Sequence, residues 1–159
     1  MQLYVIRHGI AEDRAPDSDD RSRPLTDDGR KRVRKAIKGL REINIKFDRI
    51  LTSPWVRAAE TAALLEPLCD HAPRSTELLC QSPRSELLAM IAEQGADTAI
   101  VGHEPWLGEL VAWLAFGDTR HSEALPIKKG GFVWLEGHAI PGGMKIRAIV
   151  PPVFTIAAS

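Results

Sequence analysis

Arg7, His8, Arg57 and His103 are the residues whose side chains could do chemistry together. Arg7 and His8 close the stretch Leu-Tyr-Val-Ile-Arg-His-Gly that ends at Gly9; Arg57 lies in Ser53-Pro54-Trp55-Val56-Arg57, and His103 in Gly102-His103-Glu104-Pro105. An arginine fork beside a histidine suits holding an anion while a ring nitrogen reacts with it. Alone, Arg7-His8-Gly9 is a weak signal: neighbours in a strand point to opposite faces, and a turn at Gly9 is needed to bring both to one ligand. Two or three guanidinium forks match the oxygens of a phosphoryl group. Phosphoryl transfer is helped mainly by positioning and charge stabilisation, which such a clamp provides. A histidine attacking phosphorus must be neutral, and neighbouring arginines disfavour the imidazolium. The attack would divide one hydrolysis into two steps through a phosphohistidine, with a second histidine donating to the phosphoryl oxygens from the opposite side.

The elements that must position these residues can be read from periodicity. Leu3 to Ile6 form a short apolar run rich in β-formers and predict a buried strand. Further strands are predicted at Phe47 to Leu51, Ser75 to Leu79, Thr98 to Val101, Phe132 to Leu135 and Lys145 to Val150. Thr26 reads as a helix N-cap, with Asp27 and Asp28 in the first turn and Val33, Ala36, Ile37 and Leu40 at helical spacing. Ser53-Pro54 and Ser82-Pro83 both read as a cap followed by a proline in the first helical position. The first of these helices is predicted to run to about Leu68, and the second to stop at Gly95. A fourth helix is predicted from Pro105 to near Gly117, and Glu12 to Pro24, which lacks an apolar period, as a surface loop. Strands alternating with helices imply an α/β fold with a largely parallel sheet and an antiparallel edge. In such a sheet ligands sit beyond the carboxyl ends of the strands. Arg7, His8, Arg57 and His103 therefore reach one rim, at which two helix N-termini also aim.

Composition sets the outer limits. A chain of 159 residues, 44% hydrophobic and 26% charged, is the size of one globular domain, taken as residues 1–159. Lys and Arg together number 21 and Asp and Glu 21, so no global field favours nucleic acid or an anionic membrane, and any anion site is local. Cys69 and Cys80 lack metal-ligand spacing and make at most one bridge, so a reducing cytoplasm is the expected location. The longest apolar run, Leu110 to Phe116, is far too short to span a bilayer.

The order and placement of these residues resemble the histidine phosphatase superfamily, also called the phosphoglycerate mutase-like family. Arg7-His8-Gly9 matches its defining motif after the first strand; the segment from Ser53 through Arg57 to Ala62 is similar to its second motif, and Gly102-His103 to its late histidine motif. The compact length and Arg23-Pro24-Leu25-Thr26-Asp27-Asp28-Gly29 most resemble the SixA-type phosphohistidine phosphatases. The resemblance implies a three-layer phosphoglycerate mutase-like fold with helices on both faces of a mostly parallel sheet and an antiparallel edge strand. It implies that His8 is the nucleophile, that Arg7, Arg57 and His103 complete the phosphate pocket, and that Arg23 is a further phosphate contact. The implied partner is a phosphohistidine-bearing protein such as a histidine phosphotransfer domain, with inorganic phosphate as product and no cofactor or metal. Many members carry a carboxylic acid that protonates the leaving oxygen, and Glu77 is the position for comparison. Imidazole leaving from a phosphoramidate is far less basic than an alkoxide and needs less help. Glu104 is a second carboxylate beside His103, with an N-cap role as its simpler reading.

Other singled-out residues have bland readings. His71, His121 and His138 read as surface histidines, the four tryptophans as core or rim packing, and Lys128-Lys129-Gly130-Gly131 as a solvated turn near the mouth of the site. The competing functions are a phosphomonoesterase acting on a small metabolite and a silent phosphate-binding module. Binding alone would not require a nucleophile, so His8 and His103 weigh against the module.

Overall fold

The computed structural model describes residues 1–152. Six strands form one sheet: β1 (Gln2–Arg7), β2 (Arg49–Thr52), β3 (Arg74–Ser75), β4 (Thr98–Gly102), β5 (Phe132–Gly137) and β6 (Met144–Val150), in the order β3-β2-β4-β1-β5-β6. The first four are mutually parallel; β5 runs antiparallel to β1, and β6 antiparallel to β5, so the antiparallel edge is two strands deep. The helices named among the described residues cover the sheet: α1 (Asp27–Glu42), α2 (Val56–Leu64), α3 (Ser85–Ala92) and α4 (Trp106–Phe116). Helices on both faces of a mostly parallel sheet with an antiparallel edge are the layers expected from the alternation of strands and helices.

Side-chain alternation divides the core into two layers. Leu3 and Val5 of β1 and Ile100 of β4 pack with Leu87 and Ile91 of α3 and Leu110 and Leu114 of α4. Tyr4, Ile6, Ala99 and Val101 pack on the opposite face with Val33 and Ile37 of α1 and Ala58 and Ala62 of α2. Each large aliphatic side chain so buried contributes about 1.5–3 kcal/mol. The register Ile6↔Val101 and Thr52↔Val101 aligns the carboxyl ends of β1, β2 and β4, so the segments leaving these strands share one rim.

Several predicted boundaries move for identifiable reasons. β2 begins at Arg49 because Asp48 is drawn to the neighbouring turn, its N–H donating to Asp97 O, while Phe47 makes only an isolated bridge with Cys69. α2 ends at Leu64 because Pro67 lacks an N–H and its ring would collide with the carbonyl four residues earlier, so residues 66–68 tighten into a 3-10 turn. The short strand shrinks to Arg74–Ser75. Thr76 then accepts from the Leu78 N–H at 3.2 Å and caps a 3-10 turn over Glu77–Leu79. Neither Ser-Pro pair starts its helix: α2 follows an extended Trp55 and α3 an extended Arg84. Thr26 does cap α1, accepting from the Gly29 N–H at 2.8 Å.

Candidate active site

His8 emerges just beyond the last residue of β1, and its backbone is held from both sides. Its N–H donates to Gly102 O at 3.2 Å, and its carbonyl accepts from the Gly130 N–H at 3.0 Å. The expected reason for Gly9 needs correcting. It is required for close approach, because a Cβ there would lie 2.9 Å from Val33 Cγ2 of α1, and its backbone is not in the left-handed region. Gly9 N–H donates to Thr61 Oγ1, whose hydroxyl donates to Arg57 O, so the strand end and the first turn of α2 are tied together.

The His8 ring has a defined orientation. Nδ1 lies 2.7 Å from Gly9 O, an acceptor only, so Nδ1 carries the proton. Nε2 is left with a lone pair, toward which Arg57 Nε donates at 3.2 Å. The rings of His8 and His103 are 5.1 Å apart, centroid to centroid. Arg57 is buried at the N-terminal turn of α2 and points its remaining donors at Asp20, with Nη1 on the carbonyl at 2.7 Å and Nη2 on Oδ2 at 3.1 Å. The other carboxylate oxygen lies 2.8 Å from Arg23 Nε, close enough to pair charges although off the line of that N–H. Arg7 donates through Nη1 to Ile127 O at 3.0 Å, while its buried Nε has no partner. His103 lies next to Ser53, Nε2 to Oγ 2.8 Å, and its buried Nδ1 is likewise unpartnered. Unmet nitrogens on Arg7 and His103 are what a pocket for an anion requires.

Electrostatics agree with geometry. His8 is pushed down to about 4, by burial first and by the charges of Arg57, Arg7 and Lys129, against an opposing contribution from Gly9 O. Burial, more than the arginines expected to do this, keeps the ring neutral. His103 is pushed down to about 3 by burial, then by His8 and Arg57. Burial also raises the Asp20 carboxyl, but the Arg57 hydrogen bond and charge, with Arg23, outweigh it and hold the group below its ordinary range.

The structure thus gathers Arg7, His8, Arg57 and His103 and brings Arg23 to their edge through Asp20. Glu77 stays outside this set: its side chain is 68% exposed and its ion-pair neighbour is Arg21, at 3.8 Å. Glu104 is committed to the scaffold, accepting from Gly108 N–H at 3.1 Å and Ile127 N–H at 3.0 Å, close to the cap role expected of it. Asp20 and Ser53 are the residues that sequence reasoning missed. In the sequence Asp20 is indistinguishable from the other loop aspartates, and Ser53 carries only the pattern of a helix cap. Trp55 stands at the rim as expected, its ring 4.5 Å from that of His103 and 4.8 Å from Arg57 Cζ. The Lys128–Gly131 turn proves structural as well as solvated, since the Gly130 N–H also donates to Arg7 O at 3.1 Å. A cavity of about 330 Å3 opens beside Arg7, lined also by Glu104, Glu123 and Ile127. No helix among the described residues is long and apolar enough to cross a membrane. None of their His, Cys, Asp and Glu side chains form a group of three that could hold a metal ion.

What the arrangement can do is hold a phosphoryl group between guanidinium donors and present a neutral imidazole lone pair to it. Comparisons with known proteins point the same way. Residues 3–80 match the histidine phosphatase superfamily (branch 1). The chain is 35% identical over 130 residues to the phosphohistidine phosphatase SixA of Escherichia coli, covering 75% of this chain and 77% of that one. It is 38% identical over 146 residues to an uncharacterised protein of Picosynechococcus, covering 87% of each. Its fold superposes on the protein histidine phosphatase SixA complexed with tungstate with a TM-score of 0.78 at 24% identity, over 97% of this chain and 99% of the other.

Proposed function

The chain belongs to the histidine phosphatase superfamily as a SixA-type phosphatase, and from that premise we propose that it removes phosphate from a phosphohistidine on another protein, with His8 as the nucleophile. The observation that carries the mechanism is the His8 ring itself: Nδ1–H anchored on Gly9 O, Nε2 unprotonated, and the whole ring buried and neutral. The substrate's phosphoryl group enters between Arg7 and Arg57, with Arg23 at the edge and His103 on the far side. His8 Nε2 forms a bond to phosphorus as the substrate's P–N bond breaks, and the electron pair leaves with the substrate imidazole, which takes a proton from water. Water then attacks phosphorus, the P–Nε2 bond breaks, and inorganic phosphate departs. Charge on the equatorial oxygens is met by the guanidinium groups throughout.

Two observations support a phosphohistidine over a phosphate ester. The curated relative at 35% identity is a phosphohistidine phosphatase by name. Among the described residues, carboxylates near the pocket are engaged elsewhere: Asp20 pairs with Arg57 and Arg23, Glu77 lies by Arg21, and both oxygens of Glu104 accept from backbone N–H groups. A leaving imidazole tolerates their being engaged.

Protein quenched in alkali during turnover should carry label on His8 that is alkali-stable and acid-labile, and His8→Ala should lose both label and turnover. Full turnover in His8→Ala would refute the covalent route. A panel setting phosphorylated histidine phosphotransfer domains against phosphosugars decides the substrate; a large preference for the sugars would favour the small-metabolite reading.

A further inference from the structure

Ser53 Oγ is fully buried and has three polar neighbours. The Trp55 N–H donates to it at 3.1 Å, Cys80 Sγ lies at 3.2 Å, and His103 Nε2 at 2.8 Å. A hydroxyl has one proton and two lone pairs. Trp55 occupies one lone pair, so the proton and the other lone pair are shared between sulfur and imidazole in only two ways. In one, the Cys80 S–H donates to Oγ and the hydroxyl donates to Nε2, so the neutral ring carries its proton on Nδ1. In the other, Nε2–H donates to Oγ and the hydroxyl donates to sulfur, so Nδ1 carries a lone pair.

The two differ at the atom that has no protein partner, the buried Nδ1. A lone pair there would meet an incoming phosphoryl oxygen lone pair to lone pair, beside the guanidinium donors of Arg7 and Arg57. A proton there would donate to that oxygen. We propose that Ser53, itself set by Cys80, is a positioning residue that holds His103 in the Nδ1–H tautomer, aiming a neutral donor at the phosphoryl group. This rests on the pocket being the phosphoryl site described above. Two features support it. Burial, with the charge and hydrogen bonding of the nearby Glu77, raises the Cys80 thiol more than the Ser53 contact and Arg21 lower it, which preserves the S–H donor. His103 is kept neutral by burial, so its tautomer, not its charge, decides what Nδ1 offers.

The test is the ring nitrogen spectrum of 15N-labelled protein at neutral pH. His103 should show a protonated Nδ1 and an unprotonated Nε2, and added inorganic phosphate should shift the Nδ1–H resonance. A protonated Nε2 in the unmodified protein would overturn the assignment while leaving the phosphatase reading intact. Absent turnover with the expected tautomer would do the reverse. Ser53→Ala should return the ring to Nε2–H and lower kcat about 100- to 1,000-fold, as loss of one anion donor does. Ser53→Thr keeps the hydroxyl and should restore the tautomer. Cys80→Ala should raise the Nε2–H fraction, and an unchanged ratio would remove Cys80 from the chain. If Ser53→Ala fails to fold, the wild-type spectrum alone decides.

Discussion

The buried neutral histidines make acid the sharpest perturbation of this protein. His8 and His103 titrate near 6.5 when unfolded and at about 4 and about 3 when folded. Below pH 6.5 the unfolded chain therefore binds protons that the folded one refuses, and stability falls as pH falls. The contribution is fully present above 6.5 and is lost progressively as pH descends through the folded values. For one such imidazole the loss is about 2 kcal/mol by pH 5 and about 3 kcal/mol by pH 4. Both rings together would forfeit about 4 kcal/mol by pH 5, a large share of the roughly 5–15 kcal/mol that a domain possesses. The rings are 5.1 Å apart and repel when charged, so they titrate as a pair. Arg7, Arg57 and Lys129 add to the resistance, and Asp20 is the carboxylate that opposes it at His103. Urea unfolding at pH 7, 6 and 5 measures the slope in a window above the ordinary carboxylate range. His8→Gln should remove about half of it. An unfolding free energy that is flat from pH 7 to 5, or an unchanged slope in His8→Gln, would refute the claim that burial keeps these rings neutral.

Asp20→Asn should raise the affinity for inorganic phosphate about tenfold, because the charge that competes for Arg57 and Arg23 is gone, and lower stability by about 1 kcal/mol since the pair is partly solvated. Calorimetric titration and thermal melting read the two effects, and a weakened phosphate affinity would show that Asp20 orders the arginines instead of competing with the ligand. Glu77→Gln should change kcat/KM for a phosphohistidine substrate less than about threefold, given its exposed position by Arg21. A loss of about 100-fold would identify it as the general acid after all.

Much of this site was legible because its parts sit where chain direction puts them. The carboxyl ends of β1 and β4 are set by local pattern, and Arg57 lies in the first turn of α2 whether that helix starts at Pro54 or at Val56, so Arg7, His8, Arg57 and His103 could be brought together from periodicity and strand order. Asp20 could not, because it reaches Arg57 through a loop whose path depends on tertiary contacts, among them Glu12 N–H to Pro24 O at 2.9 Å. Ser53 was visible but misread. Its hydroxyl looked available to cap a helix, yet it accepts from Trp55 N–H and faces His103, and the helix starts later. The Glu77 turn escaped because Thr76 can continue a strand or cap a turn with equal local preference, and its side chain bonds to the Leu78 N–H.

The two pocket arginines stand in different states before any ligand arrives. Each nitrogen of Arg57 has a partner: Nε the nucleophilic nitrogen of His8, Nη1 and Nη2 the carbonyl and carboxylate of Asp20. Arg7 has one donor on Ile127 O and a buried Nε with no partner. An arriving dianion gains a hydrogen bond from Arg7 without breaking one, whereas each Arg57 nitrogen already has a partner and only a second N–H on Nη1 and on Nη2 is left to offer. On the proposed mechanism Arg7 therefore offers the phosphoryl group its first donor, and Arg57 Nε follows when phosphorus is close enough for the anion to draw it away from His8. The lone pair is uncovered at the moment it is needed. Until then the Arg57 N–H shields it from protons and from water, which fits a nucleophile that must stay neutral in a pocket this positive.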